Sequence, residues 1–328
     1  RTERNSAIVA ALVAAARNGK QVVAVVELRA RFDEAENIDL ANQLQEVGAQ
    51  VVYGIVGYKT HSKMTLIVRR EPDGLVRYVH LGTGNYHART ARTYTDLGFL
   101  TADPRIAEDV HQVFHRLTGL GATRPLQLLL DAPFTLRQEM RRRIRLEAEN
   151  ARAGQPARII AKMNALTEVN TIRALYDASA AGVQIDLIVR GACCVRPGVP
   201  GISENIRVRS VLGRFLEHSR LFYFEDGGRG AVFASSADWM SRNLYRRVET
   251  CFPILDPELK RRALEEDLLV YLGSHVAAWE LQADGGHVRT GGDLDPQQEI
   301  MRRLGVLGEV SDEDPDLPPG EIRSLRPI

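Results

Sequence analysis

The sequence predicts a mixed α/β chain built from a duplicated unit, and three observations carry that expectation. Two short continuous apolar runs, Gln21–Leu28 (QVVAVVEL) and Val183–Val189 (VQIDLIV), have the length and β-branched content of strands buried on both faces. Each follows a helical segment that stops at a glycine, Gly19 in one case and Gly182 in the other. Each half then carries a histidine and a basic residue two positions apart, just before another apolar run.

Asn5-Ser6 opens a helix over Ala7–Arg17, with Ile8, Leu12 and Val13 on its buried side, and Asn18-Gly19 ends it. Gln21–Leu28 is the first strand. Asn37–Val47 reads as a helix stopped by Gly48, followed by strands at Gln50–Gly54, Ser62–Arg69 and Val76–Leu81, with a Pro72-Asp-Gly74 turn between the last two. Gly119–Pro125 (GLGATRP) is a Gly/Pro-rich boundary. Beyond it, Arg137–Ala151 reads as a solvated charged helix, Asn170–Ala181 as a helix and Val183–Val189 as a strand. From Gln282 the periodicity fades, so a partly disordered tail with one short helix at Pro296–Leu304 is expected. The domains follow as 1–122, 126–283 and a tail at 284–328.

Composition narrows the class. The chain has 328 residues, 44% hydrophobic and 26% charged, as an ordinary globular protein of about two domains does. It begins at Arg1, as a processed or excised piece of a longer protein would. A net charge of +1 gives no sign of a general polyanion coat, so an anion site must come from local clustering, and no nucleic-acid partner is expected. Three cysteines, Cys193 and Cys194 adjacent, make neither a disulfide framework nor a zinc pattern, and those two are expected to be buried in a reducing cytoplasm. No apolar run is long enough to span a bilayer, and no signal peptide is visible.

The repeat is specific. Leu216-Glu-His218-Ser-Arg220 lies over Lys59-Thr-His61-Ser-Lys63, and Gly230–Trp239 over Arg77–Tyr86, so that Asp238 falls on Asn85. Halves of this kind pack about a pseudo-two-fold axis and share one site, which then receives a histidine from each. On a strand, residues two apart point to the same face, so His61 and Lys63 point together. A neutral imidazole nitrogen can attack phosphorus while the ammonium holds the phosphoryl oxygens. The bland alternative is a turn histidine beside a solvated lysine; the repetition of the pattern argues against it. His218 is the partner histidine, suited to acid/base work. Arg207, Arg209, Arg214 and Arg220 crowd Ser203–Arg220, where a helix over Glu204–Leu212 would add backbone donors for an anion. Arg190 follows a strand end, where ligands gather in α/β sheets; Arg29 and Arg31 follow the corresponding first strand. Gly82-Thr-Gly84-Asn85 is a glycine loop able to approach phosphate, and Tyr94 suits either base stacking or the core. His80, His87, His111 and His115 have metal-like separations only by accident, and the pair His111 and His115, one helical turn apart, reads as structural.

With those residues in view, the chain resembles the C-terminal half of the first family of bacterial polyphosphate kinases. The resemblance runs from Arg1 to about Leu281. Its most specific segments are VVELRARFDEAENI, KTHSKMTLI, HLGTGNYHARTARTYTDLGFLTAD, LIVRGACCVRPGVPGISENIRVRSVLGRFLEHSR and SSADWMSRNLYRRVE. It implies two phospholipase D-like domains with mixed sheets flanked by helices. It implies reversible transfer of the ATP γ-phosphate to inorganic polyphosphate through a phosphohistidine at His61, with His218 as the second essential histidine. It further implies ATP contacts from Tyr94, Arg190 and His218, to which the reading of the residues adds Lys63 and Arg220 as phosphate ligands, and a Mg²⁺–phosphate site near Arg1 and Arg31. A guanidinium has no lone pair for Mg²⁺, so those two would bind phosphate beside the ion or ligate through backbone oxygen. ATP/ADP and polyphosphate are the implied partners, with a homo-oligomer in the longer protein. The implied setting is cytoplasmic, peripheral at the inner membrane face at most. Two departures stand out: Arg220 replaces the lysine of the general phospholipase D motif, and Asp238 breaks the symmetry with Asn85. The alternatives are a phosphodiesterase of the same fold and a polyphosphate-binding fragment without catalysis.

Overall fold

A computed structural model describes residue 2 and residues 6–27, 34–119 and 124–307. The first half runs α1 (Ala7–Arg17), β1 (Val23–Val25), α2 (Glu34–Glu46), β2 (Gln50–Val52), β3 (Lys59–Thr60), β4 (Lys63–Glu71), β5 (Gly74–Gly82), α3 (Ala88–Ala91), β6 (Tyr94–Thr95), β7 (Gly98–Thr101) and α4 (Pro104–Thr118). β1 and β2 form a parallel pair, Val23 opposite Gln50, packed on the helices through Val9, Val13, Val22 and Leu44. The strand expected to be buried on both faces is short and half-open, with Val23 36% exposed, because its sheet has only two strands. Val9 and Val13 are the buried positions of α1, while Ile8 faces outward.

β4, β5 and β7 make an antiparallel sheet. Glu71 pairs with Gly74 across the Pro72-Asp73 turn, and Gly74 takes a positive φ of 129° that a side chain would resist. α4 begins at Asp103, whose carboxylate accepts from the Arg105 amide, and ends at Gly119 in the left-handed region. On its buried face Asp109, 1% exposed, accepts from the amides of Gln127, Leu128 and Leu129, which fastens the start of the second half to the first.

The second half runs β8 (Leu130–Ala132), α5 (Leu136–Arg152), β9 (Arg158–Met163), α6 (Val169–Ala180), β10 (Gln184–Val189), β11 (Ile206–Ser210), β12 (Leu216–Glu217), β13 (Leu221–Phe224), β14 (Ala231–Ser235), α7 (Ser241–Arg246), β15 (Arg247–Pro253), α8 (Pro257–Asp267), β16 (Trp279–Leu281), β17 (His287–Arg289) and α9 (Pro296–Leu307). Its sheet has the order β17-β16-β11-β10-β9-β13-β14-β15-β3, with β8 also on β15. The three strands β11, β10 and β9 are parallel, and β10 is buried along almost its whole length, as its continuous apolar run requires. One face of this sheet packs on α5 and α6 through Leu136, Met140, Ile144, Leu175, Ile185 and Phe222. The other face packs on the first half's sheet and α4, joining Ile160, Ile188 and Leu221 to Val79, Leu81 and Val110. The two halves therefore share a core.

Three expectations are corrected here. Glu204–Leu212 is not a helix but contains β11, a strand that lies between β10 and β16 and completes the parallel set. The helix at Arg137–Ala151 is solvated on one face only, since Leu136, Met140 and Ile144 are buried. Cys193 is half-buried and Cys194 exposed, since both lie past the end of β10, while Cys251 is the buried thiol. Residues 287–307 supply β17 and α9, and α9 falls on the helix expected at Pro296–Leu304. Residues 308–328, and residues 120–123 of the expected boundary, lie outside the described residues.

The duplication is visible in the registers. Met64 pairs with Leu81 in the first half, and their counterparts Leu221 and Ala234 pair in the second. A second symmetry joins the halves. β3 pairs in parallel with β15, Lys59 opposite Arg247, and β12 pairs in parallel with β6, Leu216 opposite Tyr94. Each half thus lends a two-residue strand to the other at the point where its histidine emerges.

Candidate active site

His61 lies between β3 and β4, and its backbone N–H donates to Val248 O at 2.8 Å, a bond reaching across the halves. Its Nδ1 stands 2.8 Å from Glu249 Oε2 on β15. A carboxylate only accepts, so Nδ1 carries the proton and Nε2 keeps the lone pair. Glu249 is fully buried and held by two further donors, Ser236 Oγ at 2.5 Å and Asn243 Nδ2 at 2.6 Å. The same construction recurs for His218. Its backbone N–H donates to Thr95 Oγ1 at 3.1 Å, its Nδ1 stands 2.8 Å from Asp96 Oδ1, and Thr83 Oγ1 donates to that carboxylate at 2.7 Å. Asp96 and Glu249 occupy equivalent places, eleven residues after Asn85 and Asp238, and Thr83 is the counterpart of Ser236. Each histidine is oriented by the carboxylate of the opposite half.

Burial and charge set the protonation states. Desolvation, only partly opposed by Glu249 and reinforced by Lys63, lowers His61 to about 4, although 23% of its side chain stays open to the cleft. Burial likewise lowers Lys63 to about 7, against the attraction of Glu249 and with the help of Arg220. Lys63 Nζ donates to His61 O at 2.5 Å. Glu249 stays ionised: burial would raise it, but His61 and Lys63 together pull it down. His218 is also lowered, by burial first and then by Arg220, against its hydrogen bond to Asp96. Arg220, 3% exposed, donates to Asp238 Oδ1 at 3.2 Å and sets Nη1 2.7 Å from His218 O and 3.2 Å from His218 Nε2. The charges of Lys63 and Arg220 act on both imidazoles, so the two histidines belong to one centre.

Of the other residues singled out in the sequence, Tyr94 packs against His218 with ring centroids 5.0 Å apart. Arg190 stands at the carboxyl end of β10, its Nε on Asn164 Oδ1 at 3.0 Å, and the charges of Asp238 and Arg220 reach it. Arg207 and Arg209 are not part of the centre: the first is paired with Asp186 and the second with Glu280. On α5, the charged helix of the second half, Arg141 is paired with Glu168. Gly84 serves a carboxylate rather than a ligand, because the Asp96 side chain fills the place of its missing Cβ. His111 and His115 contact each other on α4, and among the described residues no group of three or more His, Cys, Asp or Glu side chains could hold a metal ion. Arg1, Arg29 and Arg31 lie outside the described residues.

Sequence reasoning missed Glu249 and Asp96 as the orienting carboxylates, although both lie inside segments it singled out. It also missed Arg247, the counterpart of Tyr94, whose guanidinium comes within 3.9 Å of Glu249. The signal that would have found all three is the repeat itself, extended eleven residues beyond Asn85 and Asp238.

Fold and site together define a duplicated α/β protein with a composite histidine–cation centre suited to an anionic substrate. The family model for polyphosphate kinase C-terminal domain 1 matches residues 1–123, and that for polyphosphate kinase C-terminal domain 2 matches residues 129–299. The chain is 61% identical to the polyphosphate kinase of Xylella fastidiosa over 285 residues, covering 87% of this chain and 41% of that protein. It is 58% identical to the polyphosphate kinase of Pseudomonas aeruginosa over 289 residues, covering 88% and 42%. The crystal structure of polyphosphate kinase from Porphyromonas gingivalis superposes with a TM-score of 0.85 at 38% identity, covering 93% of this chain and 48% of that one. The chain belongs to the polyphosphate kinase family, as its C-terminal region, and spans less than half the length of the curated relatives it matches.

Proposed function

We propose that this chain carries the phosphotransfer centre of a polyphosphate kinase, moving the γ-phosphate of ATP reversibly onto the end of inorganic polyphosphate. The observation that supports it most is the crossed pair of histidines. Glu249 holds the Nδ1 proton of His61, which leaves a neutral Nε2 lone pair facing the cleft beside Lys63 and Arg220. Nε2 attacks the γ-phosphorus, a P–N bond forms, and the P–O bond to the β-phosphate breaks with its electron pair leaving on ADP. A terminal oxygen of polyphosphate then attacks the phosphorus, and the P–N electrons return to Nε2.

In this reading Lys63 and Arg220 neutralise the oxygens of the transferring group, and Arg190 holds the phosphates beyond it. His218, kept by Asp96 in the Nδ1–H form, serves as acid or base at the bridging oxygen. Tyr94 offers a ring for the nucleobase. Mg²⁺ arrives as part of the nucleotide substrate. The described carboxylates of the centre do not fit a protein cage for it, since Glu249, Asp96 and Asp238 are each taken by side-chain partners. Residues 1–122 form the half bearing the nucleophile, 126–283 the second half and 284–328 the C-terminal tail. Among the described residues no helix is long and apolar enough to cross a membrane; a cytoplasmic setting and a homo-oligomer of the longer protein complete the reading.

The test is incubation with γ-labelled ATP and Mg²⁺, peptide mapping, then a chase with ADP or polyphosphate. Base-stable, acid-labile label on His61, discharged by both acceptors and absent in His61→Ala, is the expected result. Label released only as inorganic phosphate would favour a phosphodiesterase-like hydrolase. No label on a folded chain that still binds polyphosphate would leave a binding fragment.

A further inference from the structure

We propose that Gln297, on the C-terminal helix α9, is a positioning residue for His218; its kinetic consequence rests on the phosphotransfer reading above. Gln297 is 2% exposed, whereas residues 301–305 of the same helix are exposed. Its amide makes both hydrogen bonds that a neighbouring strand would make to Phe215: Nε2 donates to Phe215 O at 2.8 Å and Oε1 accepts from Phe215 N at 2.8 Å. Phe215 leads directly into β12, whose partner strand is β6. The two-residue strand that delivers His218 is thus braced by β6 and by the Gln297 side chain. Gly213 leaves room for this brace, since the Gln297 amide occupies the place of its missing Cβ.

The same amide reaches the centre by a second route. Nε2 also donates to Glu217 Oε1 at 2.7 Å. Glu217 is 5% exposed and is further held by Lys162 at 2.8 Å, by Tyr271 OH at 3.0 Å and by Thr95 Oγ1 at 2.9 Å. Thr95 Oγ1 in turn accepts the backbone N–H of His218, and the next residue, Asp96, holds the imidazole. A continuous set of hydrogen bonds therefore runs from α9 to the backbone of His218, and the Thr95–Asp96 peptide carries it on to the carboxylate that holds the ring.

Comparison with the first half explains the need for it. There Thr60, the counterpart of Glu217, is braced by Glu27 Oε2, which accepts its backbone N–H at 2.7 Å. The counterpart of Glu27, at the end of β10, is Arg190, and a guanidinium has no acceptor to offer. A cation at that position cannot accept the strand's N–H, so the second copy of the unit lacks this brace. Gln297 supplies a substitute from outside it.

The test uses the full chain with ¹⁵N-labelled histidine, and long-range ¹H–¹⁵N spectra that report which ring nitrogen carries the proton. Gln297→Met keeps the shape of the side chain and removes the amide; Gln298→Ala, exposed on the same helix, is the control. In Gln297→Met, His218 is expected to lose its single Nδ1–H form while His61 keeps its own, and Gln298→Ala is expected to change neither. With ATP and polyphosphate, kcat should fall about tenfold or more with KM for ATP within about twofold, as misalignment of a catalytic group rather than lost binding produces. Should Gln297→Met fail to fold, seen as loss of the His61 signals too, Gln297→Asn decides, because its shorter amide cannot reach Phe215 and Glu217 together. Unchanged His218 signals in a folded variant, or equal changes in the Gln298→Ala control, would overturn the proposal. The spectra decide this even if the chain transfers no phosphate, so failure of the phosphotransfer reading would be recognised separately.

Discussion

The two histidine centres share a scaffold and differ in what surrounds their carboxylates. Glu249 is fully buried and gripped by His61, Ser236 and Asn243, whereas the Asp96 side chain is 20% exposed and gripped by His218 and Thr83. Beside His218 stands Tyr94, and the equivalent place facing His61 holds Arg247. Duplication preserved the strand exchange and the crossed carboxylates; divergence changed burial, charge and the flanking residue. One centre is consequently a desolvated, neutral imidazole with cations at hand. The other is an imidazole oriented by a partly open carboxylate and packed against an aromatic ring. That difference is a physical basis for dividing nucleophile from acid/base.

The largest effect that would sharpen this comparison is on the nucleophile. His61→Ala should abolish label uptake, a loss of about 10⁴-fold or more, while His218→Ala should slow transfer by about 10²–10⁴-fold and still permit slow labelling of His61. Equal abolition of labelling by both substitutions would break the division of labour. Next come the carboxylates. Glu249→Gln removes a buried charge that fixes the His61 tautomer, so both transfer rate and the urea midpoint should fall further than in Asp96→Asn, which alters a partly open site. A destabilised Asp96→Asn beside a stable Glu249→Gln would reverse the assignment.

A smaller, pH-linked effect follows from the direction of the shifts. His61 titrates at about 4 in the folded chain against an ordinary 6.5, so the unfolded chain takes up the proton first. Stability contributed by the neutral ring is complete above pH 6.5 and is lost as pH falls toward 4. Urea midpoints should decline across that window and less so in His61→Ala, while the labelling rate should not fall as pH drops through 6.5, where Lys63, lowered by burial to about 7, is gaining its proton. A labelling rate that halves at pH 6.5 would mean that His61 is not desolvated. The smallest expected effect is at Tyr94. Tyr94→Ala should raise KM for ATP about tenfold with little change in polyphosphate affinity, as loss of one stacking face does.

Much of this was legible in the sequence because the duplicated unit repeats its chemistry at fixed spacing. His61, Lys63, His218 and Arg220 sit at strand beginnings whose apolar runs are unambiguous, and their counterparts share register in the fold. The orienting carboxylates were harder, because the bonds join residues 188 and 122 positions apart and cross between halves. Only the exchange of β3 and β12 brings them together, and two-residue strands leave no periodicity to read. Arg207 and Arg209 misled for a different reason. Charge clustering looks the same whether guanidiniums await a ligand or are paired with Asp186 and Glu280 on neighbouring strands. Gln297 lay in a segment whose weak periodicity hid its burial.

The measurement that bears most directly on the crossed-histidine centre is the position of the phosphorus on the ring. The chain, labelled with ¹⁵N-histidine, would be phosphorylated with ATP under base-stable conditions and examined for ³¹P–¹⁵N coupling. With Nδ1 engaged by Glu249, coupling is expected at Nε2 of His61 and nowhere else. Phosphorus on Nδ1 of His61, or on His218, would contradict the account.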